Sequence, residues 1–279
     1  MTAYFKQLYY SLLPSKNMAD LDVRLSIVFH TEYIFDNHHF NQLIKFCEYC
    51  YKEFDFKPTC VVMPSTNHRI GLGIKKSALE EAAFIDRVHA LSEISTIGYH
   101  GHFRIKRNSS TFSSEIHCNN FIKNEIVEQF EQDIYWFKKN HISHNKIYSG
   151  GWWFFNEVVL DCLVKAGFKY DYSFSRSKWL SNAYFESLSE FKNTAVNTIQ
   201  HGNKEGFLTF IENITGLSYT HVNEFERALI RNQGKKIIGS IHSHDDDYNL
   251  DRSKALIYHL IKKRKVLFCS HKHLINSIA

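Results

Sequence analysis

The chain has 279 residues, of which 44% are hydrophobic and 23% are charged, which is typical of a soluble globular protein and excludes a disordered or fibrous one. Its 34 basic and 29 acidic residues give a net charge of +5, too small and too dispersed to favour nucleic-acid binding. The sequence contains no apolar run of about 18 residues and no signal-peptide pattern. We therefore expect one cytoplasmic domain over residues 1–279, with no transmembrane segment and with reduced cysteines; oligomeric state stays open.

Short apolar runs alternate with amphipathic stretches along the chain. The runs predict strands at Val23–Phe29, Cys60–Met63, Glu93–Tyr99, Lys146–Tyr148, Phe207–Ile211, Lys236–Ile241 and Val266–Phe268. The stretches predict helices at Phe40–Phe54, Lys76–His89, Phe121–Asn140, Asn156–Ala166, near Asn223–Asn232 and at Asp251–Arg264. This alternation indicates an α/β protein with a parallel sheet, and it fits a barrel and an open doubly wound sheet equally.

Histidines follow three of the predicted strands. His30, His100 and His242 come at the ends of the strands that begin at Val23, Glu93 and Lys236. In a β/α barrel, the residues that carry the chemistry lie at the carboxyl ends of the strands. These positions favour a barrel with one shared polar site.

The segments around these histidines carry further metal-ligating side chains. They are VFHTEYIFDN (His30, Glu32, Asp36), IGYHGHFR (His100, His102, Arg104) and SIHSHDDDY (His242, His244, Asp245, Asp246, Asp247). Alternate residues of an extended segment project to the same side, so His100 and His102 would form a pair of nitrogen ligands. Glu32 would complete a His₂Glu set for a divalent metal ion, for which zinc is the expected choice.

An aromatic run with two preceding glycines, YSGGWWFFNE, stands at Tyr148–Glu157. The flat faces of Trp152 and Trp153 would suit a sugar ring, although core packing explains such a run equally well. The segment GLGIKKS at Gly71–Ser77 lacks the glycine directly before lysine that a phosphate-binding loop needs, so we assign it no ligand.

The order of these segments resembles the polysaccharide deacetylase superfamily, which carries the NodB homology domain of carbohydrate esterase family 4. The resemblance runs from about Val23 to Phe268 through five motifs: VFHTEY, EISTIGYHGHFR, YSGGWWFFNEVVLDCLVKAGFKYDYS, GFLTFIENIT and SIHSHD. It implies a distorted, incomplete (β/α)7 barrel and a metal-dependent enzyme that removes acetyl groups from sugars.

The resemblance also implies roles for individual residues. His30 matches the aspartate that acts as general base, His242 matches the histidine that acts as general acid, and Glu32 and His100 match metal ligands. Arg104 stands where the family has its second ligand histidine, which makes His102 the nearest substitute. Ser149 stands where the third motif has an arginine. Trp152, Trp153, Arg104 and His244 are the residues expected to bind substrate.

Together these motifs predict a metal-dependent hydrolase that deacetylates an N-acetylated sugar. The substrate would be a carbohydrate precursor of surface polysaccharide, such as O-antigen or capsule, because no export signal is visible. Two alternatives stay open. One is a catalytically inactive relative that binds a glycan or a protein partner. The other is a metallo-β-lactamase-like hydrolase, because His242, His244 and Asp246 satisfy an HxHxD pattern.

Overall fold

The computed structural model describes residues 8–103, 123–151, 154–174, 196–200, 207–217, 221–231, 235–244 and 249–278. The strands are β1 (Asp22–Thr31), β2 (Thr59–Val62), β3 (Thr96–Gly101), β4 (Ile147–Gly150), β5 (Tyr170–Asp171), β6 (Val196–Gln200), β7 (Phe207–Ile211), β8 (Asn213–Gly216), β9 (Lys236–His244) and β10 (Leu267–Phe268). The helices are α1 (Asn37–Phe54), α2 (His68–Ser77), α3 (Glu81–Ile94), α4 (Lys123–Lys139), α5 (Glu157–Lys165), α6 (Val222–Arg231), α7 (Leu250–Arg264) and α8 (His271–Asn276).

The ten strands form one sheet in the order β6-β7-β5-β4-β3-β2-β1-β9-β8, with β10 pairing to the start of β1. All neighbours run parallel except the β6–β7 pair. Strand β1 lies centrally, where it pairs with β2 over its second half and with β9 along nearly its whole length.

The sheet curls until β7, next to one edge, and β8, at the other edge, are separated by one residue. Strand β7 pairs with β5, strand β8 pairs with β9, and only Glu212 separates the two strands in sequence. Because consecutive residues cannot be far apart, the β5 side and the β9 side of the sheet lie next to each other. The predicted distorted, incomplete (β/α)7 barrel is thereby confirmed.

Two apolar cores hold this barrel together. The larger core lies between the strands and the helices, and alternate positions of β1, such as Ile27 and Phe29, point into it. Val28 points the other way, into a smaller core with residues from β2, β4 and β7. Leu274 of α8 joins this inner core, so the C-terminal helix packs against one end of the barrel.

One predicted helix was wrong in its boundaries. The segment Lys76–His89 is divided between α2 and α3, because Ala78 adopts a left-handed conformation with φ 55° and ends α2. Helix α3 then continues to Ile94, so the strand predicted to begin at Glu93 begins instead at Thr96. The polar end of this strand, which carries His100, is where it was expected. Within the described ranges, the helices are all too short or too polar to cross a membrane.

Candidate metal centre

The ends of β1 and β3, which lie on either side of β2, bring one carboxylate and two imidazoles together. Glu32 is the residue directly after β1. His100 is the penultimate residue of β3, and His102 is the residue directly after that strand. Both histidines are buried, and the Glu32 side chain is 11% exposed, so the group faces solvent through its carboxylate. Among the described residues, these three form a group able to hold a metal ion.

The spacing of the ligand atoms fits a metal ion of ordinary size. Glu32 Oε1 lies 3.4 Å from His100 Nε2 and 3.2 Å from His102 Nε2, and the two nitrogens are 3.1 Å apart. Ligands at about 2.0–2.1 Å from a tetrahedral ion are separated by about 3.3–3.4 Å. The donor set of two nitrogens and one oxygen also suits a catalytic site, in which water or substrate fills the fourth position.

Hydrogen bonding fixes the tautomer of His100. Its Nδ1 lies 2.8 Å from the carbonyl oxygen of Ser149, which can only accept, so Nδ1–H donates and the lone pair lies on Nε2. An outer partner of this kind is the usual support of a metal-ligating histidine. Burial lowers the pKa of His100 to about 4, which keeps the ring neutral near pH 7.

The glycine pair after β4 makes room for His102. A Cβ atom built on Gly151 would overlap the His102 imidazole, and one built on Gly150 would overlap the carbonyl oxygen of Phe154. The main chain therefore approaches the His102 ring more closely than any residue with a side chain would allow. This is the structural reason for the GG pair that the sequence analysis singled out.

Arg69 also contacts this group of three residues, and sequence reasoning missed it. Its Nη2 lies 2.6 Å from Glu32 Oε2, and its Nη1 lies 3.3 Å from His102 Nδ1. Burial by itself would raise the pKa of Glu32, but the adjacent rings of His100 and His102 hold that pKa well below its usual range. Glu32 is thus an anion in a nearly enclosed site.

The second group of histidines lies beside the first. The His30 ring centroid is 4.5 Å from that of His100, 4.8 Å from that of His244 and 6.1 Å from that of His242. Of the two candidates for the missing ligand, His102 belongs to the ligand group, whereas His244 Nδ1 is 3.9 Å from Glu32 Oε1 and its side chain is 35% exposed. Burial lowers the pKa of His242 to about 3, and burial also lowers that of His30, where neighbouring histidines add to the effect.

His30 and Ser149, two of the departures from the family motifs, are hydrogen-bonded to each other. The Ser149 hydroxyl donates to the carbonyl oxygen of Tyr172 at 3.3 Å, so its oxygen accepts from His30 Nε2 at 3.0 Å. This chain of donors leaves the lone pair of neutral His30 on Nδ1. The neutral side chains of His30 and Ser149 therefore stand at the positions where the motifs of the resembled family have an aspartate and an arginine.

Several predicted site residues fall outside the described part of the chain. They are Arg104, Trp152, Trp153, Asp245, Asp246 and Asp247, and their roles stay predictions. Asp36 lies elsewhere, at the start of α1, where its carboxylate accepts from the main-chain nitrogens of His38 and His39.

The polar residues that support the site were also missed by sequence reasoning. Asn67 caps α2 and donates to the carbonyl oxygen of His102 at 2.8 Å, which anchors the start of that helix beside the centre. The carboxylate of Asp133 in α4 accepts from Thr66 and from Tyr99, the residue before His100. The only available signal was the Asn67 helix cap, since a buried carboxylate in a helix has no local sequence pattern.

Comparisons with known proteins agree with this architecture. A solved structure described as a "putative polysaccharide deacetylase from Mycobacterium smegmatis" superposes with a TM-score of 0.58 and 11% identity, over 95% of this chain and 93% of the other. A family 4 carbohydrate esterase from Streptomyces lividans, in complex with acetate, gives a TM-score of 0.46 and 10% identity, over 90% and 92% of the two chains. No family model and no curated protein matches the sequence. At this identity, the first similarity shows a shared fold.

Proposed function

We propose that this protein is a metal-dependent hydrolase that removes the acetyl group from an N-acetylated sugar. The observation that carries the proposal is the group of Glu32 Oε1, His100 Nε2 and His102 Nε2, whose mutual distances of 3.1–3.4 Å suit one ion. The group lies at the carboxyl ends of barrel strands, where β/α barrels place their chemistry. The shared fold with the M. smegmatis protein agrees with this choice of substrate class.

Glu32, His100 and His102 would hold the ion, and zinc fits their two nitrogens and one oxygen. A divalent ion in such a site polarises a carbonyl group and lowers the pKa of a water molecule. In the overall reaction a water oxygen adds to the acetyl carbonyl carbon, the amide C–N bond breaks, and acetate and a free amine leave. The protein must therefore take one proton from water and deliver one to the amine.

His30 would take up the first proton. Its Nε2–H is committed to Ser149, so Nδ1 carries the lone pair, and burial lowers its pKa and keeps the ring neutral near pH 7, the form that can accept a proton. His242 would protonate the amine. Since burial lowers its pKa to about 3, it is neutral near pH 7 and must itself take up a proton before it can give one away. The ring centroids of His30 and His242 are 6.1 Å apart, so the proposed base and acid lie in one site.

The remaining parts of this proposal concern substrate and context. Trp152 and Trp153 would stack on the sugar ring, and Arg104 and His244 would contact its polar groups. The substrate would be a cytoplasmic precursor of surface polysaccharide, and residues 1–279 would act as one catalytic domain. These statements rest on the motifs and on the position of His244 beside Glu32, where the His244 side chain is 35% exposed.

The test is release of acetate from a panel of N-acetylated sugars by protein loaded with zinc or cobalt, with a mass-spectrometric search for the free amine. Wild type should turn over at least one substrate, and the variants His100→Ala and His30→Ala should not. As a matched control, His144→Ala changes a half-buried histidine that stacks on Phe168 away from the centre and should leave kcat unchanged. Folded, metal-loaded wild type that releases no acetate from any substrate would refute the proposal.

One observation favours a second candidate, an inactive relative that binds a glycan. Glu32 is already paired with Arg69 at 2.6 Å, so its charge is neutralised without a metal ion. In this case the protein would bind N-acetylated sugars with the same affinity whether or not metal is present. Calorimetry with sugar, in chelator and in zinc, separates the two candidates.

A further inference from the structure

Arg69 is a cation in direct contact with two of the three candidate ligands, Glu32 and His102. Arg69 is the second residue of α2, and the Asn67 cap fixes the start of that helix to the main chain of His102. Its guanidinium is held at both ends, by Glu32 Oε2 and by His102 Nδ1. The side chain is 28% exposed, so it reaches the centre from the solvent side.

The proton positions follow from which groups can accept. A guanidinium has only donors, so His102 Nδ1 must accept from Arg69, and the proton of neutral His102 lies on Nε2. His102 Nε2–H then points at Glu32 Oε1 and at the lone pair of His100 Nε2. The network is complete without metal, and one N–H group occupies the space between the three ligand atoms.

A metal ion needs the lone pair of His102 Nε2, which changes this network. The proton must move to Nδ1, where it would face a donor N–H of Arg69 at 3.3 Å. Two donors at that distance repel, and the dication adds charge repulsion with the guanidinium. Arg69 must therefore release His102 when metal enters.

We propose that Arg69 is a resident counter-cation of the centre that lowers its affinity for metal and so sets the metal concentration at which the site fills. This inference rests on the proposed metal centre, and it adds a regulator that the resemblance does not supply. Arg69 would be a positioning residue, since it acts through Glu32 and His102. The metal-free protein would keep Glu32 neutralised, and the loaded protein would have Arg69 turned towards solvent.

The experiment measures zinc affinity by competition with a chelator of known affinity. Arg69→Gln removes the charge and offers an amide oxygen that can accept from Nδ1–H, so it should bind zinc about ten times more tightly than wild type, a typical effect of a residue next to a metal ligand. Arg69→Lys keeps the charge and should stay close to wild type. Without metal, Arg69→Gln should melt at a lower temperature, and its melting temperature should rise more on adding zinc.

The outcomes separate this inference from the proposed function. Zinc binding by wild type that is lost in Glu32→Gln but is equal or weaker in Arg69→Gln overturns the role of Arg69 and leaves the metal centre standing. Absence of zinc binding in every variant overturns both. Nitrogen-15 NMR of His102 in metal-free wild type gives an independent answer that does not need a variant to fold. The Nε2–H tautomer supports the inference, and the Nδ1–H tautomer refutes it.

Discussion

Two of the enclosed carboxyl groups among the described residues differ in charge state: Glu32, at the mouth of the barrel where the strands end, is ionised, and Asp171, in the barrel wall at β5, is protonated. Imidazoles surround Glu32 and hold its pKa well below the usual range against the effect of burial. Among the described residues, Asp171 accepts hydrogen bonds from the main-chain nitrogen and the hydroxyl of Ser173, at 2.6 and 3.1 Å, and burial raises its pKa to about 8. Burial alone therefore does not decide whether an acid is charged; the neighbours decide it. Glu32 is equipped to bind a cation, and Asp171 serves as a neutral part of the scaffold.

The largest effect should come from neutralising the charged member of this pair. Glu32→Gln removes the anionic oxygen, so we expect zinc affinity and acetate release to fall about 100-fold or more, because a metal ligand is lost. Chelator competition and acetate assays measure the two quantities. Asp171→Asn is the matched control and should keep the zinc affinity of wild type. Equal losses of zinc affinity in Glu32→Gln and Asp171→Asn would contradict the assignment of metal binding to Glu32 and not to Asp171.

A change next to the mouth should have an intermediate effect. Gly151→Ala places a methyl group where the His102 imidazole lies, so the ring must move and zinc affinity should fall about 10- to 100-fold. Gly216→Ala is the control, since its Cβ would meet His242 Nε2 at an ordinary contact distance of 3.5 Å. The idea fails if both variants bind zinc alike.

The protonated carboxyl group of Asp171 should make the free energy of unfolding depend on pH. The folded state holds the Asp171 proton up to about pH 8, whereas the unfolded chain releases it near pH 4. The free energy of unfolding should therefore decrease by about 1.4 kcal/mol for each pH unit between these values, and level off above pH 8. Asp171→Asn should remove this slope in urea titrations across the range. An unchanged slope in the variant would mean that Asp171 is ionised in the folded protein.

The smallest effect is expected at Asp133, the buried acid of α4. Burial raises its pKa to about 7, while hydrogen bonds from Thr66, Tyr99 and Gln129 oppose the rise. Asp133→Asn keeps one acceptor oxygen, so we expect it to lower the free energy of unfolding by about 1 kcal/mol at pH 5. At pH 8 this deficit should vanish or reverse, because wild type itself loses about 1.4 kcal/mol per pH unit up to the folded pKa of about 7. A larger loss at pH 8 than at pH 5 would show that the charged form of Asp133 is the one the fold favours.

The sequence predicted the strand ends well because parallel strands place consecutive polar termini on one side of the barrel. His30, Glu32, His100 and His102 were thus recognisable from position and residue type alone. Arg69 was not, since its role depends on how α2 packs beside β1, and hydrophobic periodicity carries no such information. The boundary between α2 and α3 was missed because Ala78 is a strong helix former in an αL conformation that only tertiary packing selects.

The same limit applies to the buried acids. Asp133 stands in the middle of α4 among glutamates and glutamines that face solvent, and its spacing does not distinguish it from them. Asp171 lies in the motif GFKYDYS, where the resemblance identified the segment but gave the carboxylate no part. In both cases the charge state follows from three-dimensional neighbours.

The central position of β1 has a consequence for how the chain is made. The ribosome produces β1 about 200 residues before its partners β9 and β10, at Lys236–His244 and Leu267–Phe268. Until then one edge of β1 has no strand to pair with, which is the condition that attracts chaperones or leads to aggregation in a nascent polypeptide. His30 and His244, which are aligned across the β1–β9 ladder, can therefore meet only after the roughly 200 residues between them have been made.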